Sequence, residues 1–196
     1  MTKDIAVFFD RDGTLNIEAG YIKKIENLIL AEDAAEAVRK LNHKNIFAIL
    51  VTNQTGPARG YYSESHVLEL NNRLKKLLNE RDAYLDKMYY CPHLATGTVD
   101  EYSIDCNCRK PKPGMIHQAL KDFPEIDINK SYVVGDKATD VELAQNTGAK
   151  GILLTTGYGK QVLDGTYQTL KSEPDYVTDN VLDAVNWILN DIENKN

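Results

Sequence analysis

Apolar positions along the chain fall into two kinds of segment that take turns. Short runs rich in aliphatic and aromatic residues, at Ile5–Phe9, Ile46–Val51, Lys87–Tyr90, Tyr132–Val134 and Gly151–Thr155, predict strands. Longer stretches with helical spacing lie between them. In the clearest, Ser63–Arg81, residues Val67, Leu70, Leu74, Leu77 and Leu78 repeat on one face, and Ser63 stands ready as the N-cap. Asp33–Asn42, Met115–Phe123, Thr139–Asn146 with Gly148 as its stop, and Asn180–Asn190 predict further helices. This alternation predicts an α/β fold, a parallel sheet flanked by helices. The segment Cys91–Gly114 shows neither pattern, and a stretch that long is usually functional or tied down.

The 196 residues suffice for one domain, and we expect a single unit over 1–196. With 42% hydrophobic and 27% charged residues the chain has ordinary globular proportions. The longest apolar run, Ile46–Val51, is far short of the roughly 18 residues a membrane helix requires. Ile5–Phe9 is too short for a signal-peptide core, so a cytoplasmic location is expected. A net charge of −6 argues against nucleic acid as partner, and an anionic small molecule then needs a local basic pocket.

The three cysteines cannot all pair with one another. Cys91-Pro92-His93, followed after twelve residues by Cys106-Asn107-Cys108, supplies three thiolates and one imidazole. That is enough to close a tetrahedral zinc site, with no ligand position left for substrate. We therefore expect structural Zn²⁺ pinning the loop 91–108 and fixing Arg109 and Lys110 just beyond it.

Asp10 ends the first predicted strand and Asp12 lies two residues on, so extended backbone turns both carboxylates the same way and Arg11 elsewhere. Gly13 and Thr14 then swing the chain aside, at the strand end where open α/β sheets bind ligands. Alone, this reads as a polar turn. So do Thr52 and Asn53 after the second strand, the basic Arg109, Lys110 and Lys112 between prolines, and Gly135-Asp136 with Lys137 and Asp140 after a later strand.

Taken in order, Phe9-Asp10-Arg11-Asp12-Gly13-Thr14, Val51-Thr52-Asn53, Arg109-Lys110-Pro111 and Val134-Gly135-Asp136 resemble the four motifs of the haloacid dehalogenase superfamily of phosphatases. The resemblance implies a Rossmann-like sheet without a large cap domain, and an aspartyl-phosphate mechanism. Asp10 would be the nucleophile, Asp12 the acid and base, and Thr52 and Lys110 the holders of the transferred phosphoryl group. Mg²⁺ would be bound by Asp10, Asp136 and the backbone carbonyl of Asp12.

The cysteine–histidine loop is similar to a branch of that superfamily containing heptose bisphosphate phosphatases, which serve activated-heptose and lipopolysaccharide precursor synthesis, and histidinol-phosphate phosphatases. The twelve-residue spacing looks like the heptose side. This likeness implies substrate contacts at Glu18, Ala19, Gly20, Tyr21, Asn53, Gln54, Thr55, Arg59 and Lys137, with Arg109 reading a second phosphate. We expect a monomer acting on a small sugar phosphate. A receiver-type phospho-acceptor is disfavoured, because there the phosphorylated aspartate follows a later strand.

Overall fold

The computed structural model describes residues 3–194. Six strands, β1 (Ala6–Phe9), β2 (Phe47–Asn53), β3 (Lys87–Cys91), β4 (Tyr132–Gly135), β5 (Lys150–Leu154) and β6 (Tyr176–Thr178), form one sheet in the order β3-β2-β1-β4-β5-β6. Every pairing is parallel. The helices are α1 (Ala34–His43), α2 (Glu64–Asn79), α3 (Gly114–Asp122), α4 (Ala138–Thr147), α5 (Gly159–Leu163) and α6 (Val181–Glu193).

Successive strand residues point to opposite faces, and here both faces are covered. Val7, Phe9, Ala48, Leu50, Val134, Ile152 and Leu154 pack with α1, α2 and α6 through Leu41, Leu74 and Ile188. Ala6, Phe8, Ile49, Val51 and Val133 pack the other way against α3 and α4 through Ile116, Ala119 and Leu143. Truncating such a residue, as in Leu74→Ala, costs about 2–5 kcal/mol.

The predicted strands and helices are present with ends shifted by up to three residues, the largest shift being at the end of α6. Gly148 ends α4 in the left-handed region at φ 85°, and Asn180 caps α6 by accepting from the Asp183 amide at 2.8 Å. Ser63 does precede α2, but its hydroxyl meets Ser65 Oγ and makes no bond to the helix backbone. The edge strand β6 and the single-turn α5 were not predicted. Among the described residues, no helix is long and apolar enough to cross a membrane.

Strand order reverses between β1 and β4, which run side by side with Phe9 opposite Val134, and the Asp10 amide donates to Val134 O at 2.9 Å. The crevice beyond these two carboxyl ends is the topological switch point where such sheets bind ligands. Among the described residues, neither 15–33 nor 54–63 carries an α-helix, so neither connection forms a helical cap over the crevice.

Candidate active site

The parallel register delivers the acidic motifs to one place. Asp10 follows β1, Asp136 follows β4, and Asp140 lies in the first turn of α4; carboxylate oxygens of the three lie within 4.8 Å of one another. Such crowding demands cations. Lys110 Nζ lies 2.9 Å from Asp10 Oδ1 and 2.6 Å from Asp140 Oδ1, all three side chains buried. Lys137 Nζ lies 3.0 Å from Asp136 Oδ1, 3.6 Å from Asp10 Oδ2, 3.5 Å from the Asp12 carbonyl and 3.5 Å from Glu18 Oε2.

These placements set the protonation states. Burial pushes the Asp10 carboxyl up, but the two ammonium groups override it and hold it well below the usual carboxylate range. Asp136 goes the other way. Its burial, reinforced by Asp10 and Asp140 and only partly opposed by Lys137, pushes it up to about 7. Burial likewise raises Asp140. Lys110 and Lys137 are raised because their carboxylates outweigh burial.

Asp136 sits in a narrow slot. Gly13 and Gly157, both at positive φ, press bare α-carbons against it, and a Cβ at either would strike its Oδ2. The Tyr158 amide donates to the same oxygen at 2.9 Å, and Thr156 Oγ1 ties the Gly13 carbonyl at 2.6 Å.

Asp12 is turned from these lysines into a network of its own. Contrary to the expectation that Arg11 points elsewhere, its guanidinium folds back onto Asp12, with Nη2 3.0 Å from Oδ2 and Nε 3.3 Å from Oδ1. Gln54 Nε2 donates to Asp12 Oδ2 at 2.8 Å and Asn16 Nδ2 to Oδ1 at 3.0 Å.

A cavity of about 230 Å³ opens over Asp10 and Asp12. Of the residues expected on substrate, Glu18, Gly20, Tyr21, Asn53, Gln54, Thr55, Arg59, Arg109 and Lys137 line it, as does Lys110. Ala19 and Thr52 do not. Thr52 is fully buried and its hydroxyl accepts from Gln54 Nε2 at 3.0 Å. Asn53 both donates to Lys110 O at 3.1 Å and accepts from Lys110 N at 3.0 Å, which fixes that lysine's backbone. Tyr158, Tyr167 and Gln168 form a wall the sequence reading missed, with the two rings stacked at 4.2 Å. A larger cavity of about 320 Å³ behind Gly13 and Thr14 is lined by Glu18, Glu32 and Asp33 and by no cation, so the paired charges belong to the smaller one.

The cysteine–histidine groups also converge. Cys108 Sγ lies 3.0 Å from Cys91 Sγ, 3.2 Å from Cys106 Sγ and 3.3 Å from His93 Nδ1. Disulfide sulfurs stand about 2.05 Å apart, so these are free thiols drawn together without bonding. The hydrogen bond between Cys91 and Cys108 pushes the former up and, with the other neighbours, brings Cys108 down to about 5. Four such groups can hold a metal. The His93 carbonyl accepts from Arg109 Nη1 at 3.3 Å, tying that side chain to the loop.

A parallel sheet of this order, with acidic strand ends set against two lysines at its switch point, is the frame of a phosphoryl-transfer enzyme, and the chain belongs to the haloacid dehalogenase-like hydrolases. The HAD-hydrolase-like family model matches residues 107–184. More narrowly, the chain is 48% identical over 93% of its length, and 94% of the relative's, to D-glycero-D-manno-heptose-1,7-bisphosphate 7-phosphatase of Thermosynechococcus vestitus. It is 41% identical, over 92% of each chain, to D-glycero-beta-D-manno-heptose-1,7-bisphosphate 7-phosphatase of Haemophilus influenzae. Its fold matches the crystal structure of D,D-heptose 1,7-bisphosphate phosphatase from B. bronchiseptica complexed with magnesium and phosphate. There the TM-score is 0.82 and the identity 25%, covering 95% of this chain and 98% of that one.

Proposed function

We propose that this protein is a phosphoric monoester hydrolase that removes the 7-phosphate of D-glycero-D-manno-heptose 1,7-bisphosphate through an aspartyl-phosphate on Asp10. The observation that carries the reading is the buried Asp10 carboxylate, kept ionised by Lys110 and Lys137 at the floor of a cavity whose wall also carries Arg59 and Arg109. The relatives named above, matching more than nine-tenths of the chain, support the substrate.

An Asp10 oxygen attacks phosphorus, the bond from phosphorus to the ester oxygen breaks, and Asp12 gives its proton to the departing alkoxide. In the second half Asp12 takes a proton from water, the water oxygen bonds to phosphorus, and the acyl phosphate bond breaks to release inorganic phosphate. Lys110 compensates charge on the transferred group, where positioning and neutralisation supply most of the catalysis. Arg109 and Arg59, on the cavity wall, suit the phosphate that stays.

Asp10, Asp136 and the Asp12 carbonyl fit Mg²⁺, because those three oxygens already surround the Lys137 ammonium as they would a metal. The ion would neutralise the phosphate and Asp10 together. Cys91, His93, Cys106 and Cys108 fit Zn²⁺, thiolates and imidazole being its preferred donors. One domain, acting in a reducing cytoplasm, carries the whole site.

Steady-state kinetics with both heptose bisphosphate anomers, other sugar phosphates and histidinol phosphate test the substrate. The heptose bisphosphate should have the highest kcat/KM, and a clear preference for histidinol phosphate would refute the assignment. Asp10→Asn should lower kcat by roughly 10⁶-fold, the scale set by removing a nucleophile, and leave no acid-stable phosphoenzyme.

A further inference from the structure

The Asp12 network reaches further than the cavity. Arg11 is 1% exposed and Asn71, on α2, 4% exposed, and neither lines the cavity, so neither can touch substrate. Yet Arg11 joins three elements. Its Nη2 donates to Gln54 Oε1 at 2.7 Å as well as to Asp12, and its Nη1 donates to Asn71 Oδ1 at 3.2 Å. Gln54 in turn holds Asp12 Oδ2, while Asn16 holds Oδ1. Both Asp12 oxygens are therefore met by N–H donors, and the guanidinium that presents three of those contacts is itself aimed by Asn71.

A planar guanidinium contacting both oxygens of one carboxylate fixes its rotation as well as its charge. Because such donors require acceptor lone pairs, the arrangement suits the ionised Asp12 left once its proton has gone to the departing alkoxide, the form that then acts as base. We propose that Arg11 is a positioning residue for the second half of the reaction, holding Asp12 as the base toward the water that hydrolyses the aspartyl-phosphate, with Asn71 as its brace. This rests on the assignment of Asp12 above. The alternative is that Arg11 merely fastens α2 to the sheet edge.

The two roles separate on p-nitrophenyl phosphate, whose leaving group departs without a proton. Its kcat/KM reports formation of the phosphoenzyme, and its kcat reports hydrolysis once that step is slow. General bases contribute about 10²–10⁴-fold, so Asp12→Asn, the control, should lower kcat by about 10²-fold or more and give a burst of p-nitrophenol matching the enzyme concentration. Arg11→Met should lower kcat by about 10- to 100-fold with the same burst, leaving kcat/KM within about threefold. Asn71→Ala should show the same pattern at about three- to tenfold, and it decides the matter if melting shows Arg11→Met unfolded. A folded variant in which kcat and kcat/KM fall together without a burst overturns the role of Arg11. No burst in Asp12→Asn itself would instead overturn the assignment of Asp12.

Discussion

The carboxylate–lysine cluster and the thiol–imidazole cluster each gather four or more side chains into one small volume, by opposite means. The first is assembled by the sheet: parallel register aligns the ends of β1 and β4, and Asn53 at the end of β2 clamps Lys110 by its main chain. Its charges also answer one another, two ammonium groups among carboxylates. The second takes only Cys91 from a strand. Its other members come from a loop whose regular structure is one short turn at Asp100–Tyr102, and three thiols gather there around a single imidazole. The difference teaches that the catalytic cluster stands on the fold, whereas the loop that carries Arg109 needs something more to hold its thiols together, which in our proposal is Zn²⁺.

The sharpest way to break that contrast is to test for the proposed zinc. Stripping zinc, or making Cys108→Ser, should cost about 4 kcal/mol or more and lower Tm by roughly 10 °C in a chain of this size, while Asp10→Asn should shift Tm by only a few degrees. Equal Tm values for stripped and untreated protein, or elemental analysis without zinc, would end the comparison.

A smaller effect reads the loop's purpose. Charge-assisted hydrogen bonds of about 1.5–3 kcal/mol predict that Arg109→Ala loses about one to two orders of magnitude in kcat/KM on the bisphosphate and much less on a monophosphate. Lys110→Ala should harm both alike, and equal losses for Arg109→Ala on the two substrates would detach Arg109 from the second phosphate.

A pH-dependent effect belongs to the sheet-built cluster. Asp136, raised to about 7 in the fold against an ordinary value near 3.9, keeps its proton where the unfolded chain has lost it. Its contribution to stability is full below about pH 4 and is lost as pH rises through about 7. Melts without added magnesium should show Tm falling across that window, and Asp136→Asn should flatten the slope. An unchanged slope would mean that another group titrates there.

Much of this was legible in the chain because the strongest signals are local. Strand β1 running into Asp10-Arg11-Asp12, the Leu70, Leu74 and Leu78 stripe, and the spacing of Cys91 and His93 against Cys106 and Cys108 each declare themselves within a few residues. What was missed is long-range or short. Strand β6 has three residues and α5 five, too few for a period to register. Asn71 lies mid-helix and became part of the site only because α2 packs beside β1. The Asp140 contact with Lys110 joins positions thirty apart that only the fold brings together. Arg11 was visible but misjudged, since backbone alternation describes where a side chain leaves the strand and not where a long one ends.

The slot around Asp136 sets how this site can vary. With Gly13 and Gly157 closing on the same carboxylate oxygen, the pocket is a gauge with no clearance: one methylene between backbone and carboxylate passes, and two do not. Asp136→Glu would keep the charge yet jam the gauge, and alanine at 13 or 157 would jam it from outside. Positions 13, 136 and 157, distant along the chain, thus behave as a single machined part. Mutational scans should find each one frozen, and an enlargement at one should not be rescued by trimming a glycine at another, because two of the three have no side chain left to shorten.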